Sequence, residues 1–370
     1  MDNICRSANP GYLALFNGSY LSQRPTGIGV VARELAAALN PELVPLLDPL
    51  GGGRQGSQAI PNHFSPEFGF RGHLNRLLWT QRKLPLLLKA SGIPLLLSPL
   101  PEAPIGCGVR SVVIAHDLLS LRYPKPSALL AYQLAYMPMV LHGASRVLCN
   151  SIATAKEVHG LIKVPANRLE VIRLGFNPGS LKPLGLDREP FFLILGRHNP
   201  HKNLHTALRA FALLRAADRA LRNDLELRIV GPHDRRYTPK LQVLARELGI
   251  AERCHWIPWV SDEERAQLLN RCQALLMVSF WEGFGLPALE AMACGAPVIA
   301  ANVGALPEVV GDCALMVDPL RPESITAAIS QVLRDPLVQR DAARMGPARA
   351  AQFRWNRTAR QVEQLLTELT

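Results

Sequence analysis

The residues with the clearest chemical potential lie in one segment, residues 279–300, which reads SFWEGFGLPALEAMACGAPVIA. Gly283 and Gly285 precede Pro287, which stands where a helix would begin, because proline has no amide hydrogen to leave unsatisfied in the first turn. Free backbone N–H groups at a helix start, reached through glycines, form an anion site. The pattern therefore predicts a site for a diphosphate.

Two glutamates frame this loop. Glu282 lies just before it, and Glu290 lies in the first turns of a helix predicted over Leu286–Cys294, with Gly295 as its C-terminal cap. A glutamate in the helix can accept hydrogen bonds from ribose hydroxyls, while one in the loop can meet a sugar. The alternative interpretation is an ordinary helix N-terminus with two surface glutamates.

The residues around the two glutamates favour the ligand-binding interpretation over the surface one. Glu282 and Glu290, with GFGLPALEAMACGAPVI between and after them, closely resemble the E-x7-E motif of the GT4 family of retaining glycosyltransferases. The resemblance implies an α/β protein of GT-B fold, with two facing Rossmann-like domains, that transfers a hexose from a nucleotide sugar to an acceptor. It also implies donor-binding roles for Gly283, Phe284, Gly285, Leu286 and Glu290, and a catalytic role for Glu282.

A second string, LGRHNPHKN at residues 195–203, follows an apolar run. The resemblance places an arginine and a lysine here against the donor diphosphate, which gives Arg197 and Lys202. Two fixed cations can neutralise a departing nucleoside diphosphate. For either residue alone, a solvated surface charge is the alternative. We assign no role to His198 or His201.

In the first half, TGIG at residues 26–29 precedes a helix and resembles the family's first glycine-rich loop. Gly27 and Gly29 are candidates there, although a plain turn explains them equally well. His116 and Asp117 end an apolar strand, where ligands of open α/β sheets bind. The resemblance implies that His116 meets the donor sugar near its reacting end. Asp117 is expected to orient or cap, and a structural histidine is the alternative for His116.

Gly231, after another apolar run, resembles the loop beside the nucleotide. The segment WIPWVS at residues 256–261 resembles the one that contacts the base through its backbone. Pro258 stands where the family often has glycine, so the base contact departs from the family pattern. Asn302, Gly304, Pro307 and Glu308 match a later loop of the family, which a structural turn explains about as well.

Apolar runs alternate with helical patterns along the whole chain, which predicts α/β architecture with parallel sheets. We expect an acceptor-side domain over residues 1–180, a donor-binding domain over 188–345 and a helical tail over 346–370, joined by a linker rich in Gly and Pro at 175–190. Such a tail often crosses back to the first domain in this family, and an ordinary terminal helix is the alternative. The predicted strands are Tyr12–Phe16, Leu95–Leu97, Val109–Ala115, Arg146–Cys149, Phe191–Leu195, Leu225–Val230, Cys254–Ile257, Ala274–Val278 and Pro297–Ile299.

Charge is uneven: residues 1–180 hold 17 basic and 9 acidic residues, which is +8 of the net +11. Nucleic-acid motifs are absent, so nucleic acid is not an expected partner. Scattered cysteines and the lack of a signal-peptide or membrane-spanning pattern favour a cytoplasmic protein.

The basic residues within 71–89 accompany leucines at helical spacing, which is typical of peripheral attachment to an anionic membrane at the inner face. For this helix itself, the favoured interpretation is that Leu74, Leu77 and Leu78 pack into the domain and that Pro85 limits the helix to about three turns.

No D-x-D triplet occurs, so we expect no cofactor and no metal, with the cations and helix amides supplying the positive charge. An NAD-dependent oxidoreductase would require G-x-G-x-x-G directly between a strand and a helix, and no predicted strand and helix are joined by that pattern. A non-catalytic nucleotide-sugar-binding protein and an epimerase of the same fold stay as alternatives. The PHKN string resembles similar strings in mannosyltransferases of surface polysaccharide pathways. This resemblance favours GDP-mannose as the donor, ahead of UDP-hexoses, and implies a glycan or a lipid-linked molecule as the acceptor.

Overall fold

A computed structural model describes residues 11–23, 27–51, 54–122, 132–217 and 224–370. The chain divides into two compact units, one of Met1–Asn177 with Arg354–Thr370 and one of Pro178–Phe353. Each unit is built on a fully parallel sheet flanked by helices, so the predicted α/β fold class is confirmed.

The first unit contains a seven-stranded sheet in the order β3-β2-β1-β4-β5-β6-β7. Its central strands are buried on both faces, as parallel sheets covered by helices require. The order reverses between β1 and β4, and such switch points open a crevice at the carboxyl ends of the strands. The strands are β1 (Leu15–Phe16), β2 (Leu46–Asp48), β3 (Ser57–Ala59), β4 (Leu95–Ser98), β5 (Arg110–Ala115), β6 (Arg146–Cys149) and β7 (Leu169–Val171).

Helices cover this sheet, and short 3-10 and π turns lie at Asn62–Phe64, Pro66–Phe68, Tyr132–Tyr136, Val158–Ile162 and Ala166–Arg168. The helices are α1 (Ile28–Ala38), α2 (Gly69–Arg82), α3 (Leu84–Ser91), α4 (Leu119–Arg122), α5 (Met137–Gly143) and α6 (Ile152–Glu157).

The second unit contains a six-stranded sheet in the order β10-β9-β8-β11-β12-β13, which reverses between β8 and β11. Its strands are β8 (Phe191–Leu195), β9 (Glu226–Val230), β10 (Cys254–Ile257), β11 (Ala274–Met277), β12 (Val298–Ala301) and β13 (Leu315–Val317). Its helices are α7 (Leu204–Ala217), α8 (Thr238–Glu247), α9 (Asp262–Arg271), α10 (Leu286–Ala293), α11 (Leu306–Val310), α12 (Pro322–Arg334) and α13 (Pro336–Ala350), with 3-10 turns at Pro200–Lys202, Ala251–Arg253 and Gly311–Cys313.

The C-terminal helix α14 (Trp355–Leu369) belongs to the first unit, as the crossing tail predicts. Its buried residues recur at helical spacing and pack against α1. Gly175 makes this possible, because a Cβ there would lie 2.3 Å from the Trp355 nitrogen. Thr358 also donates a hydrogen bond to the Arg173 carbonyl, at 2.8 Å.

The structure differs from the sequence predictions in several places. The tail is not one helix, because α13 ends at Ala350 and α14 begins only at Trp355. Strand β3 at Ser57–Ala59 is not among the predicted strands, and residues 52–53 before it lie outside the described residues. The first strand is shorter than predicted, covering only Leu15–Phe16.

Helix α2 differs from its prediction as well. It runs for 14 residues and stops at Arg82, and Pro85 lies in the first turn of the following helix α3. Leu74 and Leu78 are 44% and 43% exposed, so the interpretation that they pack into the domain is wrong for these two leucines. Within the described ranges, no helix combines the length and apolar character needed to cross a bilayer.

Candidate active site

The loops that follow β8 and β11 meet at the switch point of the second unit. Asn203 holds the first loop in place: it adopts a left-handed conformation, with φ of 58°, and is fully buried. Its side-chain amide donates to the carbonyls of Val278 (2.9 Å) and Pro319 (2.7 Å). This anchoring fixes the preceding turn, Pro200–Lys202, beside the end of β11.

Lys202 and Glu282 form the central ion pair of the site. The Lys202 Nζ donates to Glu282 Oε1 at 2.7 Å, and the Ser279 hydroxyl donates to the same oxygen at 2.6 Å. Both donors hold Oε1, and no described residue donates a hydrogen bond to Oε2, so that oxygen can accept from a ligand. Sequence reasoning did not select Ser279, although it lies three residues before Glu282 on the same loop.

The ion pair lines a small pocket at the carboxyl ends of β8 and β11. Arg197 lines the same pocket and is exposed. Within the described part of the chain, its side chain has no hydrogen bond or ion pair, so its guanidinium is available to an anion. The structure therefore brings Arg197, Lys202 and Glu282 together.

The start of α10 follows Glu282 closely along the chain, with Gly285 as the N-cap. Gly285 caps the helix with φ of 115°, a conformation that favours glycine, and a Cβ there would lie 2.8 Å from the Leu306 side chain. Phe284 is buried and packs edge-to-face on Phe353, with ring centroids 5.8 Å apart. Gly283 and Leu286 lie on either side of this turn, so the backbone N–H groups at Leu286 and beyond belong to a helix start.

The loop after β12 contacts the backbone of Glu282. The Ala305 amide donates to the Glu282 carbonyl at 3.0 Å. A Cβ on Gly304 would lie 2.7 Å from that same carbonyl oxygen, so only glycine fits this approach. The loop therefore holds the backbone that carries the glutamate.

Glu290 lies on α10 with 16% of its side chain exposed. Burial raises the pKa of its carboxyl, and Arg265, on α9, opposes that shift. The Arg265 Nη1 lies 3.6 Å from Glu290 Oε1. Sequence reasoning missed Arg265, because nothing local to residues 262–271 indicates which helix it will face.

Gly231 brings the β8 and β9 loops into close contact. A Cβ there would lie 1.9 Å from the Gly196 carbonyl oxygen, so no larger residue fits without moving the backbone. Beside this contact, His198 is buried, lies 2.8 Å from the Thr238 hydroxyl and packs against Trp256. Burial lowers the pKa of His198 to about 4, and it is therefore neutral at pH 7.

His116 lies at the end of β5 in the first unit, buried, with Nε2 2.8 Å from the Pro99 carbonyl after β4. A carbonyl only accepts, so we assign the proton to Nε2 and leave Nδ1 as an acceptor. Burial lowers the pKa of His116 to about 4, which keeps the ring neutral at pH 7. Asp117 accepts a hydrogen bond from the Leu119 amide at 3.0 Å, in the capping arrangement expected for it.

The glycine loop of the first unit precedes α1. Gly27 caps this helix with φ of 52°, and a Cβ there would meet no atom within 4 Å. Gly29 is buried in the first turn. Thr26 lies outside the described residues. Across the described segments, no three His, Cys, Asp or Glu side chains group as a metal cluster.

Comparisons with known proteins agree with this architecture. Residues 25–179 match the family model Glycosyltransferase Family 4, and residues 180–351 match Glycosyl transferases group 1. The chain therefore belongs to the GT4, group 1 family of glycosyltransferases and is a transferase enzyme.

Two curated relatives carry mannosyltransferase names. O-antigen chain mannosyltransferase B from Escherichia coli is 31% identical over 260 residues, which is 66% of this chain and 67% of the relative. MMP alpha-(1->4)-mannosyltransferase from Mycolicibacterium hassiacum is 34% identical over 226 residues, covering 58% of this chain and 52% of the relative. The match thus spans about half the length of the second relative.

Solved structures share the fold. Sucrose-phosphate synthase from Thermosynechococcus elongatus superimposes with a TM-score of 0.74 at 21% identity, covering 96% of this chain and 99% of that one. Anabaena HepE in complex with UDP and glucose gives the same TM-score, identity and coverage. At this identity the likeness establishes the GT-B fold alone, and it confirms the predicted architecture.

Proposed function

We propose that the second unit binds a nucleotide-diphosphate sugar and that transfer retains the anomeric configuration. The observation that carries the proposal is the Lys202–Glu282 pair, fixed by Ser279 at the switch point beside the start of α10. Lys202, Arg197 and the helix amides bind the diphosphate, while Glu282 Oε2 accepts from a sugar hydroxyl. Glu290 accepts hydrogen bonds from the ribose, and His116 meets the donor sugar.

The bond changes follow from this arrangement. The bond between the anomeric carbon and the diphosphate oxygen breaks, and the nucleoside diphosphate leaves with the electron pair. The leaving oxygen then takes the proton of the acceptor hydroxyl on the same face. The acceptor oxygen forms its bond to the anomeric carbon on that face, so configuration is kept. The cations and amides stabilise the charge that develops on the leaving group.

The favoured donor is GDP-mannose. Its support is the PHKN string at residues 200–203 together with the mannosyltransferase names of two relatives. A UDP-hexose is the second candidate, because the Anabaena neighbour holds UDP and glucose. The acceptor proposed is a glycan or a lipid-linked glycan, presented at the cytoplasmic face of the inner membrane, in line with the O-antigen name of one relative.

Thermal-shift measurements with a panel of nucleotide sugars test this proposal. A ligand that binds only the folded state stabilises it by about 2.7 kcal/mol at 100 times its Kd. GDP-mannose is expected to raise the melting temperature most, with UDP-hexoses next and NAD without effect. Stabilisation by NAD and by none of the nucleotide sugars would contradict it.

Transfer is expected to be independent of metal, because the chain offers Arg197, Lys202 and a helix start where other enzymes place a divalent ion, and contains no D-x-D triplet. Activity measured in excess EDTA should equal that with added magnesium or manganese. Loss of activity in EDTA that either metal restores would overturn this prediction.

The first unit offers a surface for an anionic membrane. On α2, Phe70, Leu74 and Leu78 recur every four residues and are 52%, 44% and 43% exposed. Arg71 and Arg82 are exposed on the same helix, and Lys83 and Lys89 follow it. We call Phe70, Arg71, Leu74, Leu78 and Arg82 the basic apolar face. Such a face can insert its apolar side chains among acyl chains while its cations meet lipid headgroups.

Flotation with vesicles measures this attachment. Each basic residue contributes about 1 kcal/mol at most near an anionic surface, so we expect salt-sensitive binding to anionic vesicles and little to neutral ones. Leu74→Ser with Leu78→Ser should abolish it, whereas Leu213→Ser, at an exposed leucine of the second unit, should not. Equal flotation with both vesicle types at low salt would rule the surface out.

A further inference from the structure

An arginine lies against the glutamate proposed for the ribose. The start of α9 is fixed by a capping box between Ser261 and Glu264, which sets the direction of the next side chain, Arg265. Its Nη1 lies 3.6 Å from Glu290 Oε1 and its Nη2 lies 3.1 Å from Asp262 Oδ1. The guanidinium thus bridges an exposed carboxylate and a buried one.

Because Glu290 is largely buried, its contact with Arg265 affects the ionisation of its carboxyl group. Its carboxyl is largely removed from solvent, which raises its pKa and favours the protonated form. The titratable or charged groups that face it are Arg265 and Asp262 on α9 and Cys294 at the C-terminal cap of α10. Of these only Arg265 favours the ionised carboxylate, the stronger hydrogen-bond acceptor.

The contact is also loose enough to leave room for a ligand. At 3.6 Å the Arg265 and Glu290 atoms form an ion pair, yet they lie beyond the 2.7–3.2 Å range of an N–H···O hydrogen bond. The carboxylate oxygens therefore keep their capacity to accept from hydroxyl groups. The Arg265 Nε is buried and has no hydrogen-bond partner among the described residues, so the guanidinium is held by packing and charge.

We propose that Arg265 is a positioning residue for recognition of the donor ribose, holding the Glu290 carboxylate ionised and directed toward the two ribose hydroxyls. The proposal rests on the proposed function of Glu290. It adds that discrimination for an intact ribose depends on a residue that itself makes no contact with the sugar. Removing Arg265 should therefore weaken binding only of ligands that carry those hydroxyls.

Calorimetric titration with GDP and with 2′,3′-dideoxy-GDP tests this dependence. The wild-type chain is expected to prefer GDP by about tenfold or more, since hydrogen bonds to a charged group are worth about 1.5–3 kcal/mol. Arg265→Gln should reduce that preference to about twofold while leaving the affinity for the dideoxy nucleotide unchanged. Arg265→Lys, which keeps the charge, should retain most of it.

Comparison with Glu290→Gln distinguishes failure of the Glu290 assignment from failure of the Arg265 proposal. If Glu290→Gln keeps the full preference, the ribose assignment of Glu290 is wrong and the proposal falls with it. If Glu290→Gln loses the preference while Arg265→Gln keeps it, the role of Arg265 alone is wrong. Equal weakening of both nucleotides in Arg265→Gln indicates a purely structural role and also overturns the proposal.

Asp262→Ala gives an independent reading should Arg265→Gln fail to fold. Asp262 is 77% exposed, so its removal should not disturb the core. Without it, Arg265 interacts with Glu290 alone, and the preference for GDP should stay the same or increase. A fall in that preference to about twofold would contradict the proposal.

Discussion

Lys202→Ala should lower kcat by about 10²–10³-fold while leaving the fold intact. Removing one preorganised donor from developing negative charge costs about 2.7–4 kcal/mol in comparable sites. Lys202 is 20% exposed and pairs with Glu282, which keeps the Ser279 hydroxyl when the lysine is gone. Steady-state transfer kinetics measure the effect, and circular dichroism checks that the variant is folded.

Lys240→Ala is the matched control. Lys240 is an exposed lysine on α8 of the same unit, so the substitution removes the same charge away from the pocket. It should change kcat by less than about twofold, since surface substitutions are usually near neutral. Equal kinetics in the two variants would remove Lys202 from the donor site.

Glu282→Gln should lower kcat by about 10- to 100-fold. The amide preserves the size of the side chain but loses the charge that holds Lys202 at 2.7 Å and the anionic oxygen offered to the sugar. A hydrogen bond to a charged group is worth about 1.5–3 kcal/mol, which sets the expected range. The readout is kcat at saturating donor, because the effect lies in positioning the sugar and the lysine.

Glu263→Gln provides the comparison for this substitution. Glu263 is an exposed glutamate in the first turn of α9. It makes no hydrogen bond or ion pair within the described ranges, so its replacement should leave the kinetics unchanged. An unaltered kcat in Glu282→Gln would mean that the sugar is held by other groups.

The sequence alone predicts much of the second unit. Phe191–Leu195 and Cys254–Ile257 are strands with the predicted bounds, because runs of this length, rich in apolar and aromatic residues and bounded by turn residues, are too short for most helices. The start of α10 was likewise predictable from Gly285 and Pro287. These signals are local, so no knowledge of the sheet order is needed to interpret them.

The shortest strands could not be predicted from the sequence. Ser57–Ala59 and Leu169–Val171 have three residues each and mixed burial, so their extended form depends on hydrogen bonds to β2 and β6. The interrupted tail has a similar cause. Phe353 and Trp355 are buried in different units, and the chain leaves helical geometry between α13 and α14 to place both.

The contacts within the site could also not be predicted from local sequence signals. The motif strings place Lys202 and Glu282 in separate loops 80 residues apart, and their pairing follows only once β8 and β11 are known to be neighbours. The roles of Asn203 and Arg265 are even less accessible. Each acts through contacts with another element, and neither carries a spacing or composition that indicates its partner.

Product analysis with a labelled donor tests the central claim most directly. The purified chain is incubated in EDTA with GDP-mannose carrying ¹³C at the anomeric carbon, together with lipid-linked glycans extracted from the cells that encode it. We predict release of GDP and a mannosylated product whose anomeric configuration, read by NMR, is that of the donor. A product of inverted configuration would contradict the mechanism. No transfer from this donor or from any UDP-hexose under the same conditions would contradict the assignment as a retaining hexosyltransferase.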